Sequence, residues 1–321
     1  MGQADIFWPW PLAFTPKKTN MEERIVLWAY DNGTALKDFF WEAVTGLGEP
    51  FLLIGIVCWV YWNHSRKAGM VLAFTYLFSM CVNNLVKLGV ERPRPFETIE
   101  GLEGKREHTA TGSSFPSGHS QGAASLFFAG ARLARSFWFW LAAAVLSLAV
   151  AWSRVYLGAH WPTDALAGLL LGLLVALPVA RHLDLVFHRR RRLLLFVWGV
   201  NLVVALLGLG LVWLDRAQEL GLFLDDYLMA ATTLLGVSLG HSLQTLFFPF
   251  SAQAGGLWLK LGRYLLGLAL AGGIYWAFGH FLPEWPHWVG YSVVGLWTMW
   301  LFPMLGRWVG LFAKPLPGEL G

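Results

Sequence analysis

The apolar positions of this 321-residue chain gather into long runs. They do not alternate as in a half-buried strand, nor do they keep to the narrow stripe of a soluble amphipathic helix. Runs at about 49–63, 68–87, 118–134, 137–156, 160–180, 193–214, 226–248, 259–281 and 287–308 reach or approach the ~20 residues that carry a helix across a bilayer. The pattern predicts an all-α, polytopic membrane helix bundle with about nine transmembrane spans. Residues 1 to 21 are rich in Pro and Trp and read as an irregular, interface-seeking lead. They lack the basic start and continuous apolar run of a cleavable signal peptide. Residues 22 to 45 mix Trp28, Phe39, Phe40 and Trp41 with Glu22, Glu23, Arg24, Asp31, Lys37 and Asp38. Too polar to span, they predict one or two helices lying in the membrane surface. Three regions follow: a lead with interfacial helices over 1–48, a helix bundle over 49–180, and additional spans over 181–321.

Composition strengthens this reading. Hydrophobic residues make up 56% of the chain and charged residues 14%, against about a quarter charged in a soluble domain. The 19 Trp and 23 Phe suit membrane interfaces. Cys58 and Cys81 fall inside apolar runs, as buried thiols do. The net charge of +4 matters less than its placement. Arg66, Lys67, Arg132, Arg135, Arg181, the run Arg189 to Arg192, Lys260, Arg307 and Lys314 all fall in connections on one side of a nine-span bundle. Such connections favour the cytoplasm. Asp215, Glu219, Asp225, Asp226 and Glu284 fall on the other side, with Lys87, Arg92, Arg94, Lys105 and Arg106, and more mildly Lys17 and Lys18, as basic exceptions. The expected topology is N-terminus outside, C-terminus inside, in the cell membrane. Basic runs that flank spans form no soluble basic face, so nucleic acid is not an expected partner.

Three strings carry chemistry. The first is Lys87-Leu-Gly-Val-Glu-Arg-Pro-Arg94-Pro95, the second Pro116-Ser117-Gly118-His119, and the third Ser153-Arg154 followed by His160 and Asp164. All three lie on the side opposite the basic connections. Lys87 ends one run, Ser117 opens another, Arg154 ends a third and His160 opens a fourth, so four helix ends meet at one membrane face. Ser117 can cap a helix whose first-turn amides receive an oxyanion, and Gly118 lets that backbone approach closely. His119 can protonate a leaving alkoxide. Lys87, Arg94 and Arg154 can neutralise the equatorial oxygens of a phosphoryl group in transfer. The spacing of His160 and Asp164 predicts one helix face, with the carboxylate holding one ring nitrogen and the other free to attack phosphorus. Each string has a plainer reading: a polar helix cap, an ordinary helix start, a snorkelling lysine. Those readings give no reason for His119, nor for the ordered set.

That ordered set resembles the type 2 phosphatidic acid phosphatase superfamily, whose pattern is Lys-x6-Arg-Pro, Pro-Ser-Gly-His and Ser-Arg-x5-His-x3-Asp. Every position matches, across roughly residues 22 to 180, and the last third lies outside the resemblance. The resemblance implies a metal-independent phosphatase without cofactor. Its nucleophile would be His160, its general acid His119, and Asp164 would orient His160. Lys87, Arg94, Ser117, Gly118 and Arg154 would bind phosphate. Its substrate would be a lipid phosphomonoester or pyrophosphate of the phosphatidic acid, phosphatidylglycerol phosphate, sphingoid-base phosphate or polyprenyl pyrophosphate class. The layout also resembles glucose-6-phosphatase and sphingosine-phosphate phosphatases, which leaves a soluble substrate open.

Other features are less telling. Arg92 fits neither the spacing nor an obvious role and reads as a solvated loop cation or a headgroup contact. His108 stands alone, and adjacent Asp225 and Asp226 would not face each other, so no metal cluster is implied. Gly240-His241-Ser242 echoes Gly118-His119-Ser120, yet His241 lies deep in a span, where packing or an interhelical hydrogen bond is expected. Two rival functions are a lipid headgroup transferase using the same histidine and a transporter or flippase. Few intramembrane charges and no clear inverted repeat speak against transport. The C-terminal spans leave homodimerisation and lipid access open.

Overall fold

The computed structural model describes residues 20–106, 112–218 and 224–315. Residues 1–19 of the expected lead, His108 and Glu219 lie outside the described residues. The described chain is helical: α1 (Met21–Asp31), α2 (Ala35–Gly46), α3 (Pro50–Asn63), α4 (Arg66–Gly89), α5 (Pro95–Thr98), α6 (Gly118–Ala134), α7 (Phe137–Tyr156), α8 (Pro162–Val186), α9 (Arg190–Gln218), α10 (Asp225–Phe247), α11 (Leu257–Phe281) and α12 (His287–Leu296). A π-helical turn, Trp297–Leu301, joins α12 to α13 (Phe302–Trp308). The sequence marks these starts. Asn20, Thr34, Ser65 and Ser117 each accept a first-turn amide through the side chain, and Pro50 and Pro162 occupy first-turn positions where no donor is lost.

Each of the nine expected segments is helical, but nine crossings are not what length and composition support. Among the described residues, six helices are long and apolar enough to cross, or seven if α2 and α3, bent by 47°, form one broken span. The helices that fall short are α6, α10 and, taken without α2, the 14-residue α3; for α6 the cause is physical. At 17 residues, with Ser120, Gln121 and Ser125 buried, α6 is enclosed by its neighbours. A helix shielded from lipid does not need an apolar surface. By contrast, α9 and α11 turn most of their length outward, and their exposed leucines suit lipid. The chain is an integral, multi-pass membrane protein.

Helix α4 is central, with Met70, Val71 and Phe74 in a core shared with Tyr61 and Trp62. Two pairs of helices approach through glycine. A Cβ on Gly168 or Gly172 of α8 would sit 2.5 Å from the Ser117 carbonyl oxygen or 2.7 Å from that of Gln121 on α6. On α10, a Cβ on Gly236 would meet the Ser292 carbonyl oxygen at 2.1 Å. Both pairings use small residues four apart, the spacing that lets helix backbones touch.

The basic connections gather at one end, as their positions predicted. Lys67 Nζ lies 2.7 Å from Asp184 Oδ1, and Arg135 Nη2 lies 3.1 Å from Asp184 Oδ2. The buried Arg263 reaches Asn63, Ala252 and Leu311. His241 sits 3.4 Å from the Tyr61 hydroxyl and against Phe187, an interhelical contact of the expected kind. Lys87, Ser117, Arg154 and His160 stand at the opposite ends of their helices.

Candidate active site

Residues 90–106 and 112–117 bring the strings together. Pro93 and Pro95 end the helical run of α4 and start the short α5, and the Glu97 carboxylate accepts the Arg94 amide at 2.6 Å. Arg94 turns inward and is buried. Its Nη1 donates to the Ala159 carbonyl at 3.0 Å and stands 3.2 Å from His160 Nε2, while Nη2 donates to Gly112 at 3.3 Å. Lys87 Nζ donates to the Ser113 carbonyl. Arg154, buried at the end of α7, donates from Nη1 to Thr45 Oγ1 at 2.9 Å. Its Nε has no acceptor among the described residues, and a buried donor without one is costly.

His160 lies in the turn between α7 and α8, almost fully buried. Its Nδ1 is 2.7 Å from the Ser114 carbonyl oxygen. A carbonyl can only accept, so Nδ1 carries the proton and Nε2 presents its lone pair. Burial, then the charges of Arg94, Arg154 and Lys87, push the imidazole well below its ordinary range. His160 Nε2 then presents its lone pair toward Arg94 Nη1, 3.2 Å away.

Asp164 does not hold the ring as its spacing predicted. Oδ2 is 3.8 Å from His160 Nδ1 and is taken by the Ser114 hydroxyl at 2.5 Å and the Trp161 amide at 2.9 Å. The reason is local: α8 begins at Pro162, so His160 precedes the helix and the two residues do not share a helical face. Asp164 fixes the Ser114 segment, and Ser114 fixes the imidazole.

On α6, Ser117 Oγ accepts the Ser120 amide at 3.4 Å, and the Ser117 amide donates to the Asp164 carbonyl at 3.0 Å. The amides of Gly118 and His119 have no intrahelical acceptor, as at any helix start. Packing gives no reason for glycine at 118, since a Cβ there would meet Asn83 and Met80 at ordinary distances of 3.6 and 3.7 Å. His119 Nε2 lies 3.3 Å from Glu49 Oε1. The structure thus brings Lys87, Arg94, Arg154, His119, His160 and Asp164 to one end of the bundle, with Ser117 and Gly118 beside them. Neutral imidazole, fixed cations and a helix N-terminus can together receive a phosphoryl group.

Residues 68–192 match the PAP2 superfamily, and residues 228–315 match the PAP2 superfamily phosphatase transmembrane extension. The undecaprenyl-diphosphatase BcrC of Bacillus subtilis is 30% identical over 138 residues, 42% of this chain and 68% of its own. The chain belongs to the PAP2 superfamily. An undecaprenyl-diphosphatase of Sulfolobus acidocaldarius is 32% identical over 140 residues, 42% of this chain and 60% of its own. A lipid A 1-phosphatase of Rhizobium johnstonii is 35% identical over 127 residues, 35% of this chain and 48% of its own. The chain thus spans about three fifths of the Sulfolobus relative. The extension match corrects one expectation: the last third of the chain also carries a PAP2 pattern.

Several residues at this PAP2 site escaped the sequence reading. Glu49, at the elbow between α2 and α3, faces both His119 and Arg106, the latter at 2.9 Å. A lone carboxylate heading an apolar run was the available signal. Ser114 and Thr45 left no such trace. Arg92 is not a solvated cation. Its Nη1 lies 2.5 Å from Asp164 Oδ1 and its Nη2 2.5 Å from Glu22 Oε2.

Proposed function

We propose that this PAP2 protein is a metal-independent lipid phosphatase working through a phosphohistidine. The observation that carries the reading is His160, with Nδ1 committed to the Ser114 carbonyl and Nε2 facing Arg94. Nε2 attacks phosphorus while the bond from phosphorus to the leaving oxygen breaks, and His119 gives that oxygen its proton. Water then attacks the phosphohistidine, the phosphorus–nitrogen bond breaks, and His119 recovers a proton. Lys87, Arg94, Arg154 and the α6 N-terminus hold the non-bridging oxygens throughout. The substrate is amphiphilic, because the site stands at helix ends, where lipid headgroups lie. A polyprenyl diphosphate leads the candidates: two of the relatives described are named for undecaprenyl diphosphate.

Purified protein in EDTA should release phosphate from at least one of a polyprenyl diphosphate, phosphatidic acid, phosphatidylglycerol phosphate or a sphingoid-base phosphate. Vanadate, a mimic of pentacoordinate phosphorus, should inhibit. Since three side-chain cations supply the charge, chelation should change the rate less than about twofold. Loss of activity in EDTA with rescue by magnesium would refute this, and headgroup exchange without phosphate release would make the protein a transferase.

The basic end faces the cytoplasm and the site faces outward, by the charge rule. In a background lacking Cys58 and Cys81, an impermeant thiol reagent on intact cells should label Glu103→Cys and spare Arg189→Cys. The reverse pattern would make this an inward-facing phosphatase.

A further inference from the structure

We propose that Arg92 is a positioning residue for His160, and that the surface helix α1 completes the site by holding Arg92 through Glu22. This rests on the phosphohistidine reading above. The network is continuous and built at both ends. Arg92 Nη1 reaches Asp164 Oδ1 at 2.5 Å and Thr163 Oγ1 at 2.7 Å, and Nη2 reaches Glu22 Oε2 at 2.5 Å. The second oxygen of Glu22 accepts the Thr163 hydroxyl at 2.6 Å and the Thr163 amide at 3.0 Å. Asp164, fully buried, holds Ser114, whose carbonyl fixes His160 Nδ1. One chain of contacts therefore runs from α1 through Arg92 and Asp164 to the imidazole.

The chemistry explains why arginine stands at this position. The planar guanidinium presents donors in two directions at once, which an ammonium on a flexible stem does not. It is a direct ion-pair partner of the buried Asp164 carboxylate, whose removal would weaken the compensation of that charge. Its plane also lies 5.4 Å from the Trp161 ring, next to His160. Glu22 is well suited to hold it: burial opposes ionisation, but Thr163 and Arg92 keep the carboxyl below its usual range. Helix α1 packs Val26 into the same apolar cluster as Trp161 and Ala165, so the amphipathic helix and the catalytic turn share one core. Anchoring of α1 at the membrane surface then bears on the aim of Nε2.

The test uses the purified full chain in mixed micelles with farnesyl diphosphate as probe, comparing wild type, His160→Ala, Arg92→Gln, Arg92→Lys, Glu22→Gln and the Glu22→Gln/Arg92→Gln pair. Misplacing a reacting atom by about 1 Å costs about 100-fold. Arg92→Gln should therefore lower kcat by about that factor and leave KM and vanadate inhibition within about twofold. Glu22→Gln should lower kcat by about 10-fold, the low end of the effect of such supporting contacts. The pair should be no slower than Arg92→Gln alone. Arg92→Lys should recover part of kcat, and it carries the test if Arg92→Gln does not accumulate folded. A folded Arg92 variant with wild-type kcat would overturn the inference. So would a rise confined to KM, which would make Arg92 a phosphate ligand. Independent, multiplying losses in the pair would overturn the role of Glu22. Silent wild type or active His160→Ala would instead overturn the phosphohistidine reading, and this inference with it.

Discussion

Phosphate release should vanish in His160→Ala while the protein stays folded. The expected loss is at least about 10⁴-fold in kcat, the scale seen when a nucleophile is deleted from a group-transfer site. The argument starts from the tautomer. With Nδ1 donating to the Ser114 carbonyl, the proposed attack falls to Nε2. Asp164→Asn should cost less, about 100-fold, because Asp164 acts on the ring through Ser114 rather than by direct contact. Trapping should separate the two. A rapid alkaline quench with labelled substrate, under which a phosphorus–nitrogen bond survives, should show phosphohistidine in wild type, slow accumulation in Asp164→Asn and none in His160→Ala. Folding is checked by gel filtration and thermal unfolding in detergent. Folded His160→Ala protein with wild-type phosphate release would end the phosphohistidine reading.

The histidines and cations proposed for catalysis were brought to notice because phosphoryl transfer calls for particular residue types at helix ends, and helix ends show in the apolar pattern. Their supports were not legible, because they come from distant parts of the chain. Glu22 meets Arg92 across 70 positions, and Ser114 meets Asp164 across 50. No local periodicity encodes such pairs. The relation of His160 to Asp164 was misread for the opposite reason: a local rule was applied across a helix start. Pro162 sets that start, so the helical spacing rule begins two residues too late to include His160. Helix positions were legible in the runs of apolar residues. Which of them cross was less so, since α6, packed among α4, α7 and α8, and α10, with Ser238, His241, Ser242 and Gln244 buried, are shielded by neighbouring helices and fall short of the apolar length that six or seven others reach.

Gly168→Ala should destabilise the protein, whereas Gly199→Ala should stabilise it slightly. By helix propensity alone both should gain, since glycine in a helix interior costs up to about 1 kcal/mol relative to alanine. Space reverses the sign at 168. The new Cβ would lie 2.5 Å from the Ser117 carbonyl oxygen and 3.1 Å from Ser120 Cβ, and a backbone carbonyl cannot swing aside. At 199, on the outward-facing α9, a Cβ would meet nothing within 4 Å. Overpacking of this kind costs about 1–3 kcal/mol. The displaced partner is the N-terminus of α6, which carries Ser117, Gly118 and His119, while α8 carries Asp164 behind His160. Separating the two helices therefore moves His119 away from His160. Gly168→Ala should lower the thermal midpoint in detergent and cut kcat by about 10-fold or more, since small displacements of reacting groups are expensive. Gly199→Ala should hold wild-type kcat and an equal or higher midpoint. Equal midpoints and rates for the two variants would mean that α6 and α8 do not touch through Gly168, and the close packing that aligns the two halves of the site would have to be abandoned.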